Sequence, residues 1–323
     1  MNDHLPVIDF SSFRTAPPER QRAIGQEIDQ ACRTFGFFYL ANHGIAQHHI
    51  DACFSAALTF FEQAEAEKQK ISIAHSPCHR GWYRMHEEKL NPEMAPQGDQ
   101  KEGLKIGREC GPSHPRVQAG CALHGSNQWP AIEGWRETME ATYAACEQLG
   151  RDLMQAIALG LGLEGHFFDR WLHEPMATLS PIYYPPTASS QMGAGAHTDF
   201  GCLTILFQKN IGGLEVLARD QHWLCVPPRQ DYAVINLGDM LARWTNGEYS
   251  STVHRVINRS GEPRQSLAFF FDPDPEADLA PLPGCDSQAP RFARTTALNH
   301  LLEKIDASFS YRQAGSSEVD TGL

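Results

Sequence analysis

The amino-terminal half of the chain combines amphipathic helical patterns with short apolar runs. Apolar residues recur at helical spacing in three segments, and two apolar runs, 5–10 and 37–42, are typical of short strands. The three helices are predicted over 18–35, 47–63 and 131–160. Residues 75–128 are rich in Pro, Gly and His and have no clear period, which predicts long loops with short strands, where binding residues often lie.

The pattern changes from residue 178, where short β-rich segments alternate with Gly, Pro and Asn turns. The spacing, about one strand every 8–14 residues, is typical of an all-β barrel or sandwich. A last amphipathic helix is predicted near 294–309. Because no flexible linker separates the halves, we predict one integrated domain over 1–323. Its expected parts are a helical and loop-rich half (1–177), a β-barrel core (178–275) and a C-terminal helix with a tail (276–323).

Composition excludes several classes of protein. The 323 residues contain 27 Lys and Arg against 39 Asp and Glu, a net charge of −12, which disfavours binding to nucleic acid or to an anionic membrane. No apolar run is long enough to span a bilayer, and the first residues lack the layout of a signal peptide. None of the nine cysteines forms a Cys-x-x-Cys pair, so reduced thiols in a cytoplasmic protein are the simplest interpretation.

Two His-x-Asp triplets occur in the chain, and the predicted secondary structure separates them. His49 and Asp51 fall in a predicted helix, where positions i and i+2 do not face each other. His197 and Asp199 fall in a predicted strand, where i and i+2 share a face, so only this pair can chelate one ion. His254, on a later strand, is the candidate third ligand. Two His and one carboxylate with open positions suit non-haem Fe(II) and oxygen chemistry.

A candidate anion clamp follows the third ligand. Arg264-Gln265-Ser266 is the one Arg-x-Ser in the chain, and strand parity puts Arg264, Ser266 and Phe270 on one face, predicted to point into the barrel. A guanidinium binds a carboxylate through two parallel hydrogen bonds. This pair is therefore predicted to hold a carboxylate, with a surface ion pair as the alternative.

Several motifs in order resemble the isopenicillin N synthase-like branch of the Fe(II)/2-oxoglutarate-dependent dioxygenases. The resemblance extends over nearly the whole chain to about residue 310. It rests on LPVIDF (5–10), GFFYLANHGI (36–45), RGWY (80–83), DQKEGLKIG (99–107), the run from GAGAHTDFG to NIGGLEV (193–216), NLGDMLARWTNGEYSSTVHRVIN (236–258) and RQSLAFFFDP (264–273).

The resemblance implies a fold that is mainly β with α, a double-stranded β-helix (jelly-roll) barrel flanked by N-terminal helices and a C-terminal helix. It implies Fe(II) held by His197, Asp199 and His254. It also implies 2-oxoglutarate as cosubstrate, with its far carboxylate on Arg264 and Ser266 and a further hydrogen bond from Tyr184. The expected reaction consumes O2, releases succinate and CO2, and oxidises a C–H bond of a small molecule by hydroxylation, desaturation or cyclisation.

Other functions stay open on the sequence alone. An oxidase like isopenicillin N synthase uses the same clamp for a substrate carboxylate, and an ethylene-forming fragmentation of 2-oxoglutarate uses the same core motifs. A non-catalytic metal-binding barrel and a zinc hydrolase are alternatives from other classes. Arg80, Tyr83 and Lys101 are candidates to contact the substrate together with Phe270, although solvated charge and core packing compete as explanations. The sequence predicts neither the substrate nor the oligomeric state.

Overall fold

The computed structural model describes residues 4–186 and 192–312. Within these ranges the chain forms seven α-helices and three short 3₁₀ turns. The helices are α1 (Pro18–Thr34), α2 (Gln47–Phe61), α3 (Glu65–Gln69), α4 (Pro115–Gln118), α5 (Trp135–Gly160), α6 (Asp239–Trp244) and α7 (Ala297–Ser308). The 3₁₀ turns are Phe13–Thr15, Ile73–His75 and Phe167–Trp171. None of the described helices is both long enough and apolar enough to cross a membrane.

Twelve strands are present in the same ranges. They are β1 (Val7–Asp9), β2 (Phe37–Ala41), β3 (Gly81–Tyr83), β4 (Glu102–Gly107), β5 (Thr178–Tyr184), β6 (Met192–His197), β7 (Leu203–Gln208), β8 (Leu214–Leu217), β9 (Trp223–Cys225), β10 (Tyr232–Leu237), β11 (His254–Ile257) and β12 (Arg264–Phe271).

The strands form two facing sheets. The larger has the order β1-β2-β10-β7-β12-β5-β4-β3, and the smaller has the order β6-β11-β8-β9. One apolar cluster fills the space between the sheets, and a second packs α1, α2 and α5 against the outer face of the larger sheet. This is the predicted double-stranded β-helix with flanking helices. The four N-terminal strands extend the larger sheet at both of its ends, so both halves of the chain build the barrel wall.

Most predicted helices lie where the apolar spacing puts them, with small differences at their ends. The longest helix begins at Trp135 rather than at 131, because Gly134 precedes it in a left-handed conformation with φ of 71°. The last helix begins at Ala297, where the Thr296 side chain accepts a hydrogen bond from the backbone N–H of Asn299. The predicted tail beyond residue 312 lies outside the described residues.

One strand prediction is wrong at the position that matters most for function. His197 and Asp199 do not lie in one strand: β6 ends at His197 in the smaller sheet, and β7 begins at Leu203 in the larger one. Asp199 therefore lies in the crossing between the sheets and not on a strand face with His197. The crossing needs Gly201, because a Cβ there would stand 1.8 Å from the Asp272 carboxylate.

Candidate active site

Three predicted ligand side chains converge in the space between the two sheets. Strand β6 pairs with β11 so that His197 lies directly opposite His254. The Asp199 Oδ1 atom is 3.7 Å from Nε2 of each histidine. Ligand atoms of the three residues all lie within 4.8 Å of one another, the spacing of a site for one metal ion. Strand pairing and the crossing loop thus bring together residues that are up to 57 positions apart in sequence.

Backbone carbonyls orient both imidazoles. His197 Nδ1 is 2.6 Å from the Gly195 carbonyl oxygen, and His254 Nδ1 is 3.2 Å from that of Thr252. A carbonyl only accepts, so each Nδ1 carries the proton and each Nε2 offers its lone pair to the shared centre. Burial and the neighbouring His254 lower the pKa of His197 to about 3, which keeps its imidazole neutral as a metal ligand must be.

Two hydrogen bonds fix the carboxylate ligand. Asp199 Oδ2 accepts from Thr204 Oγ1 at 2.5 Å and from Asn236 Nδ2 at 2.6 Å, which leaves Oδ1 facing the histidines. Burial alone would raise the pKa of Asp199, but His254, His197 and these two donors lower it, so the group stays ionised. The sequence did not single out Thr204 or Asn236, because they lie on β7 and β10 and only sheet pairing brings them to Asp199.

We expect Thr204→Val to weaken Fe(II) binding about 10-fold, the usual cost of losing a supporting hydrogen bond at a metal site. Valine keeps the buried shape of Thr204 but removes the donor to Asp199. Anaerobic Fe(II) titration measures the change. Thr142→Val is the matched control, since Thr142 is also buried but donates to the Thr138 carbonyl within α5. Equal Fe(II) affinity in wild type and Thr204→Val would contradict this role.

A buried guanidinium without an acidic partner lines the same cavity. Arg264 is only 1% exposed, and its Nη2 donates to Gln208 Oε1 at 2.9 Å. Its Nη1 lies 3.4 Å from Ser266 Oγ, and its Nε has no partner. In the described part of the chain no carboxylate pairs with it, and burial lowers the pKa of Arg264. A buried charge without a counter-charge destabilises the folded state, so this geometry indicates a site for an anionic ligand.

The other predicted cosubstrate residue lies beside this guanidinium. Tyr184 is opposite Arg264 in the pairing of β5 with β12, and its ring centroid is 4.7 Å from the Arg264 Cζ atom. Tyr184, Arg264 and Ser266 all line the cavity that also contains the His197, Asp199 and His254 side chains. The surface ion pair considered as an alternative for Arg264 is excluded by its burial.

Of the four candidate substrate contacts, three line the cavity. Phe270 lies on its wall, as strand parity predicts, and so do Arg80 and Lys101. Arg80 and Lys101 are only 4% and 3% exposed, which rules out solvated charge as their explanation. Tyr83 is the exception. It is fully buried behind the wall with its hydroxyl against Gly103, and it does not line the cavity.

Sequence reasoning missed Glu88 and Lys105, which also line the cavity. Lys105 could have been found, since a strand puts residues 101 and 105 on the same face. Glu88 had no local signal, because it belongs to an irregular segment. Glu88 is held at the wall by one β-bridge to Phe309, the residue just after α7. Helix α7 itself covers the cavity with Leu301 and Ile305.

His79 is buried on the same wall, and this burial predicts that the stability of the protein depends on pH. Burial, with Lys105 and Arg80 adding to it, lowers the pKa of His79 well below 6.5, so the folded state keeps it neutral while the unfolded chain takes up a proton. Its contribution to the free energy of unfolding is complete above pH 6.5 and falls on acidification. The loss approaches about 1.4 kcal/mol for each pH unit well below 6.5.

The measurement is denaturant unfolding of the metal-free protein and of His79→Gln between pH 7.5 and pH 5. Wild type is expected to lose stability relative to the variant as the pH falls. His75→Gln is the control, because His75 is exposed. Parallel stability curves for wild type and His79→Gln would contradict the buried neutral imidazole.

Comparison with known proteins identifies the family of this chain. Residues 5–132 match the family model described as non-haem dioxygenase in morphine synthesis N-terminal, and residues 177–273 match that of the 2OG-Fe(II) oxygenase superfamily. The chain is 34% identical to the 2-oxoglutarate-Fe(II) type oxidoreductase hxnY of Emericella nidulans, over 97% of this chain and 93% of that protein. It is 32% identical to the homoarginine-6-hydroxylase 2-ODD-C23.2 of Arabidopsis thaliana, over 95% and 89% respectively.

Solved structures show the same similarity. A full-length protein of Neurospora crassa, solved in complex with alpha-KG and thymine, superposes with a TM-score of 0.82 at 28% identity, and the match covers 94% of this chain and 96% of that chain. The fold and the site define a non-haem oxygenase that uses Fe(II), 2-oxoglutarate and O2. The chain belongs to the 2OG-Fe(II) oxygenase superfamily, and the resemblance seen in its sequence motifs is confirmed.

Proposed function

We propose that this oxygenase oxidises a C–H bond of a compact small molecule in the cavity between the two sheets. In this proposal His197, Asp199 and His254 hold Fe(II), while Arg264 and Ser266 hold the far carboxylate of 2-oxoglutarate with Tyr184 beside them. The observation that carries it is the unpaired Arg264 guanidinium, buried in the same cavity as the three convergent ligands. A dicarboxylate that also chelates the metal supplies the missing negative charge.

The residues present fit both groups. The donor set of two neutral imidazoles and one carboxylate is the one that suits Fe(II) with positions left open for other ligands. When bound, iron and 2-oxoglutarate supply oxidative decarboxylation to succinate and CO2 and the oxidising power for a C–H bond. The chain contributes position and exclusion of water. Thr204 and Asn236 hold the carboxylate ligand, Gln208 holds the clamp, and α7 covers the cavity.

A small-molecule substrate is supported by the cavity and by the relatives. The cavity among the lining side chains has a volume of about 150 Å³, the scale of small molecules rather than of a macromolecule. The Neurospora crassa protein has been solved with thymine, and the Arabidopsis relative is named for homoarginine, both small molecules. The net charge of −12 opposes nucleic acid and anionic membranes as partners.

We further propose that residues 1–323 act as one integrated domain in the cytoplasm. The single-domain proposal is supported by the larger sheet, in which β2 from the N-terminal half pairs with β10 from the core. The cytoplasmic location is supported by the nine cysteines, all of which are free thiols.

Succinate formation tests the proposed reaction. The Fe(II)-loaded protein is expected to form succinate from 2-oxoglutarate only when O2 is present, slowly without substrate and faster once a substrate is supplied. The same protein loaded with Zn(II) is the control and should form none, because zinc has no redox chemistry. Succinate formation that is equal with zinc, or absent with iron shown to be bound, would contradict the proposal.

A further inference from the structure

One wall of the cavity carries several buried charged side chains. Lys101 is fully paired there, since its Nζ lies 2.8 Å from Glu88 Oε2 and 3.0 Å from Asp99 Oδ2. Arg80 and Lys105 are two further buried cations on this wall. Glu109 is the carboxylate that acts on Arg80, and Glu88 is the carboxylate nearest to Lys105. Burial opposes ionisation of Glu88, but Lys101 and Lys105 lower its pKa to about 2, so it counts as a full negative charge. Of the two lysines beside Glu88, only Lys101 is within hydrogen-bond distance of it.

Lys105 is the cation on this wall whose N–H donors have no acceptor among the described residues. Its side chain is about nine-tenths buried, and its Nζ makes no hydrogen bond to any residue that the structure describes. The nearest carboxylate oxygen, Glu88 Oε1, is 3.9 Å away, beyond hydrogen-bond distance. Lys105 lines the cavity, so its ammonium is open to a molecule bound there.

The position of Lys105 also relates it to the metal site. Its Nζ lies 4.9 Å from the centre of the Phe270 ring. Phe270 pairs in register with Thr204, the residue whose hydroxyl holds Asp199. Phe270 thus adjoins both the Lys105 ammonium and the strand position of Thr204, and its ring offers an apolar contact to a molecule anchored at Lys105. Leu301, Ile305 and Phe309 provide apolar contacts on the lining.

The groups proposed to hold the cofactors do not include Lys105. The far carboxylate of 2-oxoglutarate is placed on Arg264 and Ser266 of β12, whereas Lys105 lies on β4. The Lys105 ammonium is thus left for the substrate, and a buried charge without a counter-charge is unfavourable.

We propose that the primary substrate is a compact monoanion whose carboxylate binds the Lys105 ammonium, with its apolar body across Phe270. The proposal rests on the proposed function and adds the chemical class of the substrate to it. The positive field of Arg80 on the same wall favours the same charge. A neutral heterocycle that uses only hydrogen bonds is the competing class, and the test below distinguishes the two.

The test uses the holoenzyme under anaerobic conditions, loaded with Fe(II) and 2-oxoglutarate and checked by its visible charge-transfer band. Matched acids and amides are titrated at constant ionic strength: acetate and acetamide, butyrate and butyramide, benzoate and benzamide, phenylacetate and phenylacetamide. Calorimetry and the change in the band report binding. At least one carboxylate is expected to bind about 10-fold or more tightly than its amide, the scale of a charge-assisted hydrogen bond.

Variants assign the preference to Lys105. Lys105→Met should abolish it while keeping the thermal midpoint and the band with 2-oxoglutarate, and Lys105→Gln is the second variant if methionine disturbs the fold. Lys209→Met is the matched control, because Lys209 is partly buried but lies outside the cavity. No acid preferred over its amide, or a preference that survives both Lys105 variants, would overturn the proposal. Absence of the band before any acid is added would instead contradict the proposed function.

Discussion

His197→Ala abolishes Fe(II) binding and turnover, the largest effect we expect from a single substitution. His197 is one of the three proposed ligands, and its Nε2 has no substitute, because the described residues form no other cluster of metal-ligating side chains. The loss of affinity should exceed about 100-fold, the upper end of what removal of a supporting hydrogen bond costs a metal site. Anaerobic Fe(II) titration and succinate formation are the two measurements.

His49→Ala is the matched control for this prediction. It removes the histidine of the other His-x-Asp triplet, which lies exposed on α2. Iron affinity and turnover should be unchanged, because a helix points His49 and Asp51 in different directions. Full activity in the His197 variant would contradict the claim that these three residues together hold Fe(II).

Arg264→Ala weakens 2-oxoglutarate binding by about 2–5 kcal/mol, the usual result of breaking a buried charge pair. This corresponds to a dissociation constant about 30-fold to several thousand-fold higher. The reason is that Gln208 and Ser266 position the guanidinium but supply no charge, so no described neighbour replaces it. Titration of the Fe(II)-loaded variant with 2-oxoglutarate measures the shift.

The iron affinity of the Arg264 variant separates a ligand effect from a folding effect. Arg264→Ala should bind Fe(II) as wild type does, because Arg264 is not among the three grouped ligand residues. Arg108→Ala is the control, since Arg108 pairs with Glu147 outside the cavity and its loss should leave 2-oxoglutarate binding intact. An unchanged 2-oxoglutarate affinity in the Arg264 variant would mean that the clamp serves another ligand.

The centre could be predicted from sequence because its determinants are local patterns. The alternation of a strand placed Arg264, Ser266 and Phe270 on one face, and all three line the cavity. Of the two His-x-Asp triplets, the structure groups the second, His197 and Asp199, with His254. The predicted shared strand face was nevertheless wrong, since Asp199 lies in the crossing after β6. A sequence window shows an apolar period but does not show where a chain leaves one sheet for another.

The charged wall of the cavity, formed by Arg80, Glu88, Lys101 and Lys105, could not be predicted in the same way. Its charged groups come from β4, from the irregular segment around Glu88 and from the loop at Arg80, and only the folded arrangement joins them. Solvated charge was a competing explanation for Arg80 and Lys101 because charged residues are rarely buried unless they are paired. Lys101 meets that condition through Glu88 and Asp99, partners that are 13 and 2 residues away and lie outside any regular element. Local composition does not encode such pairing.

The most direct test of the central claim is an anaerobic titration of the Fe(II)-loaded protein with 2-oxoglutarate, followed through the weak visible charge-transfer band of a chelated 2-oxo acid. We predict a saturable band in wild type that forms at much higher 2-oxoglutarate concentration in Arg264→Ala and is absent in His197→Ala. A wild-type protein that binds iron but gives no band at any 2-oxoglutarate concentration would contradict the account.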